Sequence, residues 1–312
     1  MKIGQSVGSG GLWPCHSTLL ETTTPPRLFT SNYQGSTIAS HAILPSGELD
    51  GDKDSVQLIS LLGEGQFGPH PSRQKQQHPH ACTLDPTGRI LVVPDLGTDE
   101  LRILEVDGDG KLSPREAIKL QPGSGPRHVL FDRRSEVSIV LYVMEELSNS
   151  ISTFSVDYSA TPPAFTRLQC SISLLPSAPS ARQSDFSHWH SAELAVTPNH
   201  TTLIASNRAE DHDPLGGSKE GDEDLFAIFS ISPEDGTLIE SSKKLVGSGG
   251  RAPRHFSLSS ESVRRKGAQA EWLAVAHHDS DEVVIFSLGK GGDLKEVARL
   301  GEVGRPGCVM WA

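Results

Sequence analysis

The sequence predicts an all-β fold built from repeated four-stranded antiparallel units, and three observations carry that prediction. No stretch sustains the 3.6-residue apolar period of a packed helix. The 30 glycines and 21 prolines punctuate short apolar runs, as a turn-rich β chain requires. One short pattern also recurs. Gly125-Pro126-Arg127-His128 precedes Val129-Leu130-Phe131, Ala252-Pro253-Arg254-His255 precedes Phe256-Ser257-Leu258, and His78-Pro79-His80 precedes Ala81-Cys82-Thr83-Leu84. In each, a proline followed by a cationic or imidazole side chain opens an apolar strand.

The remaining elements keep phase with these starts. A second run follows 10 to 17 residues on, at 28–33, 90–95, 140–145, 203–208 and 272–277, each ending in polar residues. Apolar runs of this length bounded by turn residues read as buried strands. A third strand with interleaved polar positions follows at 36–44, 100–106, 150–156, 225–231 and 282–288. Most third strands enter a glycine-centred turn, at Gly47, Gly110, Gly236 and Gly291-Gly292. Glycine supplies the positive φ that tight hairpins need. A short last strand, such as 56–61, closes the unit.

Unit starts fall at His16, His80, His128, Glu193, His255 and Cys308, at intervals of 64, 48, 65, 62 and 53 residues. Four antiparallel strands per irregular repeat of this length is the signature of a β-propeller. A large β-sandwich explains the strands but not their equal-phase repetition. The whole chain, residues 1–312, is expected to form a single propeller domain. The stretches 65–77, 162–188 and 211–224 read as long loops.

Composition narrows the function. Apolar residues make up 36% and charged residues 21%, so a packed core is available. A net charge of −11 argues against nucleic acid or an anionic membrane as partner, and no apolar run reaches a membrane span. Cys15, Cys82, Cys170 and Cys308 match no zinc spacing and read as free thiols. Residues 1–11 lack the apolar core of a secretory signal, so a cytoplasmic location is expected. Asp107-Gly108-Asp109-Gly110-Lys111 is similar to a calcium loop, but lysine cannot ligate a cation, so it reads as a hairpin turn. Asp211, Asp213, Glu220, Asp222, Glu223 and Asp224 read as a solvated acidic loop, and His188-Trp189-His190 as a group suited to a metal or a substrate ring, placed to form a lid over the channel mouth. No metal and no cofactor are expected.

In a propeller the first strand of each blade lines a central channel. His16, His80, His128, Glu193 and His255 would converge there, beside Arg127 and Arg254. The second strands would bring Asp95, Glu145, Glu146, Arg208, His277 and His278 to its rim. Histidine suits proton transfer near neutral pH, and arginine suits bidentate contact with carboxylate or phosphate.

The strings His78-Pro79-His80, Gly125-Pro126-Arg127-His128, Ser206-Asn207-Arg208 and Pro253-Arg254-His255, with Asn32-Tyr33 and Pro94-Asp95-Leu96-Gly97 in phase, resemble those of the seven-bladed propeller lactonases. That family includes bacterial-type 6-phosphogluconolactonases and fungal carboxy-cis,cis-muconate cyclases. The similarity runs from about Trp13 to the C-terminus. Six starts are counted where the family has seven blades, so the resemblance implies a chain shortened at its N-terminus. It also implies a catalytic His, Glu and two Arg in the cyclase branch. His128, Glu193 and Arg254 match by motif, and the second arginine is Arg208 or Arg182. The expected activity is metal-independent hydrolysis of an anionic sugar lactone. Lactone-forming cyclisation of a carboxylated muconate, or a non-catalytic protein-binding scaffold, are the alternatives. His128 or Glu193 would move the proton, and Arg208 and Arg254 would hold the anion or oxyanion. His16, His80, Arg127, Glu145 and His255 would bind substrate. Glu146 would support them.

Overall fold

The computed structural model describes residues 6–52, 55–63, 65–160, 162–177, 187–209, 223–259 and 271–311. They form five antiparallel sheets, and each sheet takes its strands in chain order. The first has β1 (Pro14–Leu20), β2 (Arg27–Asn32), β3 (Thr37–Ala42) and β4 (Gln57–Ser60). The second has β5 (Thr83–Leu84), β6 (Ile90–Asp95), β7 (Glu100–Val106) and β8 (Leu112–Pro114), with β9 (Ile118–Lys119) also on β7. The third has β10 (Pro126–Arg133), β11 (Ile139–Glu145), β12 (Ser150–Asp157) and β13 (Ala164–Ser173). The fourth has β14 (Trp189–Val196), β15 (Thr202–Ala209), β16 (Leu225–Ile231) and β17 (Leu238–Gly247). The fifth has β18 (Pro253–Leu258), β19 (Glu271–His277), β20 (Glu282–Leu288) and β21 (Leu294–Leu300). Five of the six expected starts therefore open a sheet. The sixth, at Cys308, carries no assigned strand.

One stretch differs from its sequence reading. Residues 162–177, expected to be loop, hold the ten-residue strand β13. Its outer-edge position leaves alternate residues exposed, so Ala164, Thr166 and Leu168 form no apolar run for a pattern to catch. The acidic-loop residues Asp211, Asp213, Glu220 and Asp222, and the alternative arginine Arg182, lie outside the described residues.

The chain divides into two compact units, residues 1–131 and 132–312. In the first, Leu20, Phe29 and Ile38 pack on Cys82, Leu91, Val93 and Leu104, sealing the first sheet face to face on the second. In the second, Ile204, Phe226 and Ile228 pack on Phe256, Leu273, Val275 and Phe286. A wholly buried Leu or Phe side chain of this kind contributes roughly 1.5–3 kcal/mol. The central strands β6, β11 and β15 are buried almost throughout, which is why they read as unbroken apolar runs.

A repeated polar device sets the spacing between sheets. The residue just before each third strand is polar, and its side chain grips the backbone leading to the next first strand. The Ser36 hydroxyl donates to Gln77 O at 2.6 Å. The Asp99 carboxylate accepts the N–H groups of Gly123 and Gly125, both at 2.7 Å. Asn149 Nδ2 donates to Trp189 O. Asp224 accepts the N–H of Ala252 at 2.6 Å, and Asp281 that of Arg305 at 2.7 Å. Ser36, Asp99, Asn149 and Asp281 all adopt positive φ, between 50° and 55°, a conformation that Asn and Asp tolerate better than most residues.

Candidate functional site

Each gripped residue lies three or four positions before one of the expected site residues: Gln77 before His80, Gly125 before His128, Trp189 before Glu193 and Ala252 before His255. The first strands are then irregular where those residues sit. The β1–β2 register slips between Pro14 and His16, β14–β15 between Ser191 and Leu194, and β18–β19 between Pro253 and His255. A bulge re-aims side chains out of the pleat alternation, so consecutive residues such as Arg254 and His255 need not point to opposite faces.

In the first unit, four expected site residues come together. The His128 ring lies 5.6 Å from that of His16 and 5.5 Å from that of His80, both edge to face. Arg127 is buried and its Nη1 donates to His128 Nε2 at 3.0 Å. A guanidinium only donates, so this nitrogen of His128 carries a lone pair. Tyr33 and His78 extend the group: Tyr33 meets His80 edge to face at 5.3 Å and stacks on His78 at 4.2 Å. Burial lowers the His78 pKa against the opposing hydrogen bond to Tyr33 O. His16 Nδ1 accepts the N–H of Cys82 at 3.4 Å, and burial pushes the Cys82 thiol up to about 12. A guanidinium and three imidazoles on adjacent strand starts provide N–H donors for an anionic ligand.

In the second unit, Glu193 and His255 form a pair. Glu193 Oε1 accepts the N–H of Leu194 at 3.0 Å, and Oε2 lies 3.8 Å from His255 Nε2. The other ring nitrogen, Nδ1, accepts the N–H of Val309 at 3.3 Å. A backbone N–H cannot accept, so the neutral ring carries its proton on Nε2, the side of Glu193. Arg254 is half-buried one residue before His255. The exposed Cys308 has a thiol raised by partial burial and by the Glu193 carboxylate. A carboxylate with an imidazole N–H beside it can take a proton from water and return it.

Several second-strand ends have partners within the protein. Glu145, expected to bind substrate, is fully buried, and its carboxylate accepts hydroxyls from Ser150 at 2.5 Å, Ser152 at 2.7 Å and Ser171 at 3.1 Å. Its oxygens are turned into its own sheet. Asp95 is likewise enclosed, accepting from the N–H of His78 and from Arg102. Arg208, expected to hold the substrate anion, pairs with the buried Glu146 at 3.2 Å. Of the proposed lid, Trp189 and His190 are buried within β14. Sequence reasoning missed Tyr33 as a neighbour of the imidazoles and the gripping residues Ser36, Asp99, Asn149, Asp224 and Asp281. A signal was present, since each is polar and directly precedes a third strand.

Among the described residues, no three His, Cys, Asp or Glu side chains are grouped to hold a metal ion, and no helix is long and apolar enough to cross a membrane. All four cysteines are free.

Residues 2–311 match the sequence profile of the family described as Lactonase, 7-bladed beta-propeller. A protein of Arthroderma benhamiae named "Probable 6-phosphogluconolactonase" is 29% identical over 290 residues, covering 92% of this chain and 66% of the relative. A Formosa agariphila protein named 6-phosphogluconolactonase is 26% identical over 295 residues, covering 92% of this chain and 70% of the relative. The structure of the periplasmic gluconolactonase of Pseudomonas aeruginosa superposes with a TM-score of 0.70 at 23% identity, covering 94% of this chain and 71% of that one, and so shares the fold. The chain spans 66% and 58% of the first two curated relatives it matches.

Proposed function

Because the chain belongs to the seven-bladed β-propeller lactonase family, we propose that it hydrolyses an anionic sugar lactone of the 6-phosphogluconolactone type. The observation that carries this reading is the Glu193–His255 pair, set at bulged starts of neighbouring inner strands. Glu193 takes a proton from water as the water oxygen attacks the lactone carbonyl. The His255 Nε2–H, 3.8 Å from the carboxylate, helps hold the attacking water beside it. Arg254 offsets charge on the carbonyl oxygen as the tetrahedral intermediate forms. The ring C–O bond then breaks, and the departing alkoxide receives the proton held by Glu193. The acid and alcohol of the opened sugar balance the atoms of lactone and water.

Arg208 is given no oxyanion role in this reading, since its Nη2 pairs with the buried Glu146 at 3.2 Å. Glu145 is left out of substrate binding because three serine hydroxyls occupy its carboxylate. Within the first unit, Arg127, His16, His80 and His128 form a group suited to an anion, and the lone pair of His128 suits it to proton transfer. The names borne by the relatives favour hydrolysis over cyclisation. The partner is a small molecule rather than nucleic acid or membrane, consistent with a net charge of −11. Free thiols support a cytoplasmic location.

The test is a titrimetric assay of lactone opening with 6-phosphogluconolactone, with carboxymuconate cyclisation run in parallel. Hydrolysis should occur, and Arg254→Ala should lower kcat/KM by roughly two orders of magnitude. Cyclisation without hydrolysis would overturn the substrate and direction proposed.

A further inference from the structure

The segment 303–311 lies outside the five sheets yet is fixed along the fifth. Val303 N–H donates to Asp281 O at 2.9 Å, and Arg305 N–H to Asp281 Oδ1 at 2.7 Å. The Ser257 hydroxyl donates to Val309 O at 2.9 Å, and Trp311 Nε1–H to Ser257 O at 3.0 Å. The Trp311 ring meets Trp272 edge to face at 6.0 Å. The Asp281 grip is the one that Ser36, Asp99, Asn149 and Asp224 apply before β5, β10, β14 and β18. Cys308 follows the gripped Arg305 by three residues, as His255 follows Ala252. The segment thus holds the place of a first strand beside β18.

We infer that the backbone N–H of Val309 sets the tautomer of His255, making Val309 a positioning residue for the Glu193–His255 pair. The N–H···Nδ1 contact at 3.3 Å admits only a lone pair on Nδ1. With the proton on Nδ1 instead, two N–H groups would oppose each other and Nε2 would turn a lone pair toward the Glu193 carboxylate 3.8 Å away. Both contacts would become repulsive. The side chain of Val309 plays no part, so substitutions that keep its N–H keep the effect. The effect on turnover rests on the hydrolase reading above, whereas the tautomer does not.

The experiment is long-range proton–nitrogen NMR of the His255 ring in the ¹⁵N-labelled full chain, at mildly alkaline pH, with His255→Asn giving the assignment. The wild type and Val309→Ala should show the Nε2–H form. Val309→Pro, which removes the N–H, and Asp281→Ala, which releases the segment at Arg305, should show a mixture or the Nδ1–H form. In those two variants kcat for lactone opening should fall on the order of 10- to 100-fold, within the range of general acid–base effects, with KM changed by less than about twofold. An Nδ1–H ring in the wild type overturns the inference even if the proline variant does not fold. So does an unchanged Nε2–H ring in a folded Val309→Pro protein. A shifted tautomer with unchanged turnover upholds the tautomer assignment and overturns the role given to His255 in hydrolysis.

Discussion

His277 and Glu145 close β19 and β11 at corresponding places, and both are wholly buried. Burial holds His277 neutral, lowering its pKa to about 4, with Glu282 opposing the shift. The unfolded ring titrates near 6.5, so between these values the unfolded chain binds more protons. Stability is therefore full above about pH 6.5 and falls as the pH drops toward 4, by about 3 kcal/mol in all. Urea unfolding across that range should show the loss, and His277→Gln should flatten it. Glu145→Ala strips an acceptor from Ser150, Ser152 and Ser171. Its unfolding free energy should fall by roughly 2–4 kcal/mol, the cost of stranding buried donors. Replacement of Glu193 acts differently: Glu193→Gln should keep the urea midpoint within about 0.5 M of wild type while turnover drops.

At the scale of the element, the bulged first strand and the gripping turn explain one another. A bulge frees consecutive side chains to face the ligand, and the loss of ladder hydrogen bonds is offset by an anchor just upstream. Asp99 accepts four hydrogen bonds, from Gln74, Gly123, Ser124 and Gly125. Asp99→Ala should cost about 3 kcal/mol or more by chemical denaturation and weaken binding of an anionic ligand, since Gly125 leads directly to Arg127 and His128. Gly97 has a different constraint: a Cβ there would lie 1.7 Å from Gln76 O. Gly97→Ala must displace the backbone that leads to His78 and His80, and a thermal melt should record a drop of several degrees. The first strand starts, second strands and glycine turns were legible in the sequence because Pro, Gly and unbroken apolar runs mark them. β13 was not, since an edge strand carries no unbroken apolar run. Nor was the fate of Glu145 and Arg208: sequence shows that a charge sits at a strand end, but not that three serines or Glu146 already occupy it.

For the whole molecule, the repetition of start, second strand and grip at five successive places, ending at Arg305 and Cys308, ties the chain into one series. From that repetition we propose that residues 1–312 form one domain. Unfolding in urea should then give coincident transitions by far-UV circular dichroism and by tryptophan fluorescence, and two resolved transitions would contradict it. The net charge of −11 adds a further expectation. Polyanions such as heparin or duplex DNA should not compete with the small anionic ligand, because only a local cluster of cations opposes the overall field. Lactone hydrolysis by Glu193→Gln, compared with wild type under saturating 6-phosphogluconolactone, bears most directly on the proposed chemistry. A fall in kcat of roughly 10²- to 10⁴-fold with circular dichroism unchanged is expected for loss of the general base, and wild-type turnover in the folded variant would mean that the Glu193–His255 pair is not where the proton moves.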